Sequence, residues 1–415
     1  MDIYKLTELS YKNAGKGCRM WLGDLDGDGR MEYVMVQPDG GIDDRFVPHM
    51  VQCATAYNLE GKQLWQIGEP DPGVTGSGAD IPAQIYDIDN DGFNEFICVM
   101  KGELCIFNGK TGTLKKKHSL PSEMAHDCII IADLEGRGHA QNIILKDRYR
   151  QLWALDTNYN VMWTFKGDVG HYPVVYDLNK DGRDEIIAGY TVLSADGKPM
   201  WRIDMEDHAD CIWVADLYEN GEPVVMVGGA DTTAYTPDGK LLWRFTDTVE
   251  SQNIAPGKFF PDKMGLQVAG LDRIVRVGEA GKDSVFVFDC NANPLYKEKR
   301  KSIGWSSIVT TLTGFERGSA QDYILVYRRG GGETNGVFDG TMKCILEFPF
   351  EGHCMYGDLN GDGINKLLLY NDERIVIYST EKTDLSRAAK PGVLKQPRRL
   401  YNWTRYWGSE LPMSK

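Results

Sequence analysis

Apolar and polar positions along this chain alternate in short bursts, and no segment shows a convincing amphipathic helical period. From His171 an apolar run climbs to Asp177, an acidic turn DLNKDGRDE follows, and a second apolar run, Ile186 to Tyr190, returns. Val192 to Ala195 and Met200 to Ile203 then flank Asp196-Gly197-Lys198, an Asp-Gly hairpin signal. Four short strands in about 40 residues is the period of a β-propeller blade. The order recurs. Earlier copies carry GDLDGDGRMEYVMV from Gly23, YDIDNDGFNEFICV from Tyr86 and ADLEGRGHAQNIIL after His126, and a later one carries ADLYENGEPVVMV after His208. Hairpins end on Trp65, Trp163 and Trp243. Two degenerate copies follow, and a last one opens HCMYGDLNGDGINKLLLY at His353 and stops at RIVIYS, one strand short. The alternating segment Ile3 to Leu9 is placed to supply that strand. The pattern predicts an all-β chain, one β-propeller domain over residues 1–415, closed by its N-terminal strand. Eight blades are expected, or seven if the degenerate copies are misread. Residues 380–415 form a tail expected to pack on the ring.

Length alone would suggest several domains, but blades add around one ring. No apolar run is long enough to span a membrane, and no signal-peptide pattern precedes the first copy. Nine cysteines without close CxxC spacing sit mostly in apolar strands, as reduced core cysteines do, and a cytoplasmic location is expected. A formal charge of -14 speaks against nucleic-acid binding. A monomer is expected.

The acidic turns bring the first chemistry. D-x-D-x-D-G-x-x-E stands at Asp24, Asp26, Asp28 and Glu32, at Asp87, Asp89, Asp91 and Glu95, and, with one amide, at Asp177, Asn179, Asp181 and Glu185. Alternating carboxylates before a glycine suit Ca²⁺, which takes six to eight oxygens. The sequence therefore predicts several structural calcium ions. A fourth copy, Asp358, Asn360 and Asp362, has Lys366 where the acid should stand, and its ammonium is placed to weaken or replace the metal.

If each inner strand runs towards its acidic turn, the strand starts gather at the opposite face. Four of the seven histidines, His126, His171, His208 and His353, fall at those starts. The turns between second and third strands join them there, with Arg148, Arg150, Tyr190, Arg273, Arg328 and Arg329, and with Arg45 and His49 from an insertion in the first copy. Arg and His concentrated at one face of an acidic protein predict an anionic ligand. Phosphate-binding glycine loops, G-x-S-x-G and H-E-x-x-H are absent. The conspicuous carboxylates lie at the other face, which disfavours hydrolysis; Asp147, Asp231 and Asp272 are the acids that a hydrolase would have to use. His, Tyr and Arg suit β-elimination at a uronic acid: Arg pairs with the carboxylate, one His or Tyr removes the C5 proton, and another protonates the departing O4.

HYPVVYDLNKDGRDEIIAGYTVLSADGKPMW followed by DHADCIWVADL resembles consecutive blades of calcium-bearing rhamnogalacturonan lyases, most clearly from His126 to Trp213. The stretch is also similar to ulvan lyases and to lyases that release rhamnose from glucuronate. The resemblance implies cleavage of a rhamnose- and uronate-containing glycan, with His126, His171 and His208 matching the histidine-starting blades. Tyr190 stands where the rhamnogalacturonan lyases often have a small residue, so His and Tyr both remain open as the base. From the residues alone the rival is a non-catalytic calcium propeller that binds a glycan or a protein.

Overall fold

The computed structural model describes residues 1–40, 49–75, 80–205, 209–273, 284–299, 307–328, 335–390, 392–394, 396 and 409–410. They form eight sheets, antiparallel but for one added strand, arranged as an eight-bladed propeller, with no helix among the described residues. Seven blades are built from four consecutive strands each. The eighth takes its inner three from His353–Gly357, Lys366–Tyr370 and Ile375–Ser379, and its outermost from Tyr4–Leu9 at the other end of the chain. The sheet partners run from Tyr4 opposite Ser379 to Leu9 opposite Ile375, so the ring closes by backbone hydrogen bonds between the termini, as the strand count predicts.

The strand compositions follow from their place in the blade. Inner strands such as Cys128–Ala132 and second strands such as Asn142–Lys146 are buried at every position, packed on both faces by neighbouring blades, and so read as largely apolar runs. Outer strands such as Val161–Lys166 keep alternate residues in solvent. Tryptophans of the outer strands lock one blade to the next. Trp65, Trp163, Trp201 and Trp243 donate their indole N–H to the carbonyls of Gly109, Ala195, Pro237 and Cys290 at 2.6, 2.9, 3.0 and 2.9 Å. Trp163 lies so close over Gly197 of the next hairpin that a Cβ there would sit 2.5 Å from the ring, and the glycine's φ of 73° is itself the left-handed conformation of the turn.

The acidic turns hold their shape through their own backbone. Asp24 accepts hydrogen bonds from the amides of Gly27 and Gly29, Asp87 from Asp91 and Gly92, and Asp177 from Asp181 and Gly182. Glu32, Glu95 and Glu185, opposite the ends of the inner strands, accept from the amides of Leu25, Ile88 and Leu178. All these turns lie at one face, and the connections between second and third strands lie at the other.

After Ser379 the chain crosses the acidic face. Thr383 Oγ1 donates to Asp362, Ala389 N to the Asn360 carbonyl, Leu394 N to Asp24 Oδ2 and Gln396 Nε2 to the Leu22 carbonyl, which ties the turns of the last and first blades together. Ser409–Glu410 adds a fifth strand, parallel to the inner strand Cys211–Ala215. The aromatic stretch between lies outside the described residues. All nine cysteines are free thiols, and eight of them are buried.

Removing Met1–Leu9 should lower the unfolding midpoint and cause concentration-dependent association, because it strips the outermost strand from the last blade and bares the edge of Ile375–Ser379. Thermal melts and sedimentation at two protein concentrations check this; an unchanged melt would show that the termini do not close the ring.

Candidate functional site

At the face opposite the acidic turns, the residues flanking the starts of the inner strands approach the axis. In the third blade Lys146 is fully buried and bonds to Asp127 and to the carbonyls of Asp147 and Arg148, the latter two at 2.8 and 2.6 Å. Arg148 Nη1 sits 2.8 Å from Asp80 and 3.1 Å from Asp127. Burial alone would lower the guanidinium's pKa, but Asp127 and Asp80 hold it above its ordinary value. The Arg148 side chain also faces the Tyr149 ring, whose edge meets His171, and His171 Nε2 is 3.6 Å from Asp210. In the sixth blade Arg273 Nε pairs with buried Glu250 at 2.6 Å.

His49 and His126 form a second group. The Nδ1 of His49 is 3.3 Å from Asp39 Oδ1. His126 is 7% exposed; burial lowers its pKa, against the pull of Asp39 and Asp127. His49 Nε2 and His126 Nδ1 are both buried without a hydrogen-bond partner among the described residues. In the fourth blade, on the same face, Asp168, Tyr190, Arg202, Ile203, Asp204 and Met205 line an open cleft of about 480 Å³. Arg202 is exposed there and has no ion-pair partner among the described residues, whereas Asp204 pairs with Arg244.

The sequence-predicted residues thus separate. His126, His171 and His49 stand with the buried polar clusters, and Tyr190 lines the cleft. His353 packs between Tyr327 and Tyr370 in the last blade. Arg150 is exposed, while Arg148 and Arg273 are buried and committed to acids. Arg45, His208 and Arg329, and the side chain of Arg328, lie outside the described residues. The expectation of a face poor in carboxylates is corrected: Asp80, Asp127, Asp210 and Glu250 are all there, because a buried cation needs a buried counter-charge. Asp127, Asp210 and Glu250 each immediately precede an inner strand, the phase of the repeat that also holds the histidines, so the same reading would have found them.

The acidic turns also differ from one another. In the first blade Asp24, Asp26 and Glu32 present oxygens within 4.8 Å of one another, a cluster able to hold a metal ion. Burial and the charges of Asp26, Asp24 and Asp28 push the Glu32 carboxyl up to about 8, so the cluster calls for a cation to stay ionised, and its all-oxygen donor set suits a hard one. Asp87, Asp89 and Glu95 form a similar cluster, but Lys115 reaches into it, 2.8 Å from Asp89 and 2.7 Å from Glu95. In the fourth blade the Asn179 amide donates to Glu185 at 2.8 Å. At Asp358, Asn360 and Asp362, also expected to hold a metal, the buried Lys366 ammonium lies among the same residues.

The family model described as rhamnogalacturonan lyase family 11, C-terminal domain, matches residues 143–251. That segment holds Lys146, Arg148, Tyr149, His171, Tyr190, Arg202, Asp210 and Glu250. The chain resembles the rhamnogalacturonan lyases. The rhamnogalacturonan endolyase YesW of Bacillus subtilis (strain 168) is 25% identical over 294 residues, 54% of this chain and 46% of that protein, so the chain matches about half the length of this curated lyase. The exotype rhamnogalacturonan lyase YesX superposes with a TM-score of 0.66 at 18% identity, covering 90% of this chain and 72% of that one. The lyase-like ring is also shared with the V. cholerae biofilm matrix protein Bap1, at a TM-score of 0.64 and 12% identity over 99% of this chain and 100% of that one. At such identities the superpositions establish the fold.

Arg148→Met should destabilise the protein by about 3–5 kcal/mol, because it leaves Asp80 and Asp127 buried with one cation fewer, whereas exposed Arg150→Ala should change stability by less than about 0.5 kcal/mol. Denaturant titration of the two variants checks this; equal effects would mean that the Arg148 cluster is not a buried ion network.

Proposed function

We propose that this chain is a lyase that cleaves a rhamnose- and uronate-containing glycan by β-elimination at the face opposite the acidic turns. The observation that carries the reading is the pair of buried imidazoles, His49 and His126, whose Nε2 and Nδ1 have no hydrogen-bond partner among the described residues. A buried nitrogen without a partner is costly unless a ligand or water completes it. With Nδ1 of His49 donating to Asp39, Nε2 would be left to accept a proton, and burial lowers the His126 pKa so that it too would be available as a base.

In the proposed reaction one imidazole takes the C5 proton of the uronate. The C–H electrons form the C4=C5 double bond, and the C4–O4 bond breaks with its electron pair on oxygen. Tyr190 from the cleft, or the imidazolium formed by the first transfer, gives a proton to that oxygen. Arg148 is too fully engaged by Asp80 and Asp127 to be the carboxylate partner. Arg150 and Arg202, exposed and without an ion-pair partner among the described residues, would pair with the uronate and stabilise the charge that develops at C5. His171, set by Asp210 and Tyr149, flanks the same face. Hydrolysis is disfavoured on new grounds. Asp80, Asp127 and Glu250 are buried and committed to ion pairs with Arg148, Lys146 and Arg273.

Calcium belongs to this reading as a structural ion. Asp24, Asp26 and Glu32, with Asp28 beside them, would hold it in the first blade, where it would neutralise the crowded carboxylates and stiffen the turn to which Leu394 is anchored. It lies on the far face and takes no part in the proton transfers.

With rhamnogalacturonan, ulvan or rhamnose-capped glucuronate oligosaccharides, the wild type should release products carrying the ultraviolet absorbance of an unsaturated uronate. His126→Ala and His49→Ala should each slow that release by about 10²–10⁴-fold with the fold intact. The acid limb of kcat/KM should lie below the ordinary histidine pKa, because lowering the folded pKa keeps His126 deprotonated until the pH falls past that range. Rates untouched by both variants, or no unsaturated product from any of the three glycans, would sink the assignment.

A further inference from the structure

The acidic turns share one backbone conformation but do not share one cation. In the first, second and fourth blades a glutamate stands across from the last residue of the inner strand: Glu32 opposite Gly23, Glu95 opposite Tyr86 and Glu185 opposite Tyr176. In the last blade the residue in that register is Lys366, opposite Gly357. The rest of the turn is kept. Asp358 accepts from the amides of Asp362 and Gly363, as Asp87 does from Asp91 and Gly92. The loop has therefore not lost its form; one carboxylate has been exchanged for an ammonium.

Lys366 is fully buried and its Nζ points into the turn. It lies 2.8 Å from Asn360 Oδ1, 2.9 Å from the Ile364 carbonyl and 3.5 Å from Asp358 Oδ1, and it bonds to the Asp362 carboxylate. Those oxygens belong to the first, third, fifth and seventh positions of the turn, the places from which a calcium loop draws its ligands. An ammonium is a compact charge with three protons to donate, and here it is ringed by oxygens. A divalent ion in the same cage would face that fixed charge at contact distance, and the buried lysine has no solvent to move into.

The second blade reaches a similar result by another route. Lys115 comes from the outer strand Leu114–Ser119 and contacts Asp89 at 2.8 Å, Asp91 at 3.1 Å and Glu95 at 2.7 Å. Two turns thus receive a lysine from two unrelated positions in the blade. Lys115 is partly exposed and able to swing aside for a metal; Lys366 is not.

We propose that Lys366 is a resident cation that replaces the metal ion in the last blade, so that the blade joining the two chain ends is held without calcium while the first blade beside it takes the ion. The inference uses the calcium reading of the first blade for its probe, and the two can fail separately. The ring closure at Tyr4–Leu9 and Ile375–Ser379 would then persist when calcium is withdrawn, and the loss would be felt in the Asp24–Glu32 turn.

Native mass spectrometry with added Ca²⁺ counts the ions per chain, and hydrogen exchange with and without chelator reports on each turn. Lys366→Glu should bind one ion more than the wild type and make protection of residues 358–369 calcium-dependent. Lys366→Met should bind no additional ion and lose protection there whether calcium is present or not. In the wild type, protection of that segment should be indifferent to chelator, and Asp362→Asn should leave the ion count unchanged. A wild-type count that falls in Asp362→Asn, or a folded Lys366→Glu that gains no ion, overturns the proposal. Asp26→Asn tests the first-blade site on its own: an unchanged count there would overturn the calcium reading of that blade and leave the Lys366 arms interpretable.

Discussion

Eight sheets around an axis are stable only if the last is joined to the first, and here that join is a backbone ladder between the two ends of the chain. Tyr4–Leu9 covers the strand Ile375–Ser379 and completes the four strands of the closing blade. The geometry on both faces depends on that closure. Each inner strand is wedged between neighbours, and the tryptophans that donate to the next blade hold it in place. The strap from Thr383 to Gln396 adds side-chain and backbone bonds across the same seam, on the acidic face.

A ring so built separates two kinds of electrostatics. The acidic face crowds carboxylates into turns whose amides shape them but do not neutralise them, and each turn meets its charge in its own way: with an open cage at Asp24, Asp26 and Glu32, an amide at Asn179, and lysines at Lys115 and Lys366. The opposite face buries cations and acids together. Lys146 and Arg148 balance Asp127 and Asp80, and Arg273 balances Glu250, so these groups form a rigid, nearly neutral frame. Among the described residues, what that frame leaves available includes the imidazole nitrogens of His49 and His126, the exposed guanidinium of Arg150, and that of Arg202, which lines the cleft with Tyr190.

The fold was legible because its periods are short and its punctuation strong. Acidic turn, Asp-Gly hairpin and closing tryptophan recur at fixed distances, and a last copy lacking one strand pointed directly at Ile3 to Leu9. The site was legible only in part. Repeat phase located His126 and His171 on one face, but it could not show which cations were already matched. Arg148 looks like an anion-binding arginine until Asp80, 68 residues away, is found against it. Asp39 carries no motif, and its bond to His49 depends on how the ends of the first-blade insertion come together. The metal pattern was read from spacing, and spacing cannot reveal Lys115, which enters the second turn from a different strand.

The central claim is that this face eliminates rather than hydrolyses or merely binds. Digestion of a rhamnose- and uronate-containing oligosaccharide in heavy-oxygen water, with the products weighed by mass spectrometry, tests it most directly. Elimination predicts fragments whose masses sum to that of the intact chain, one bearing an unsaturated uronate and none bearing solvent oxygen. Fragments that carry the label would show hydrolysis, and an intact oligosaccharide bound without cleavage would show a binding propeller; either would contradict the account.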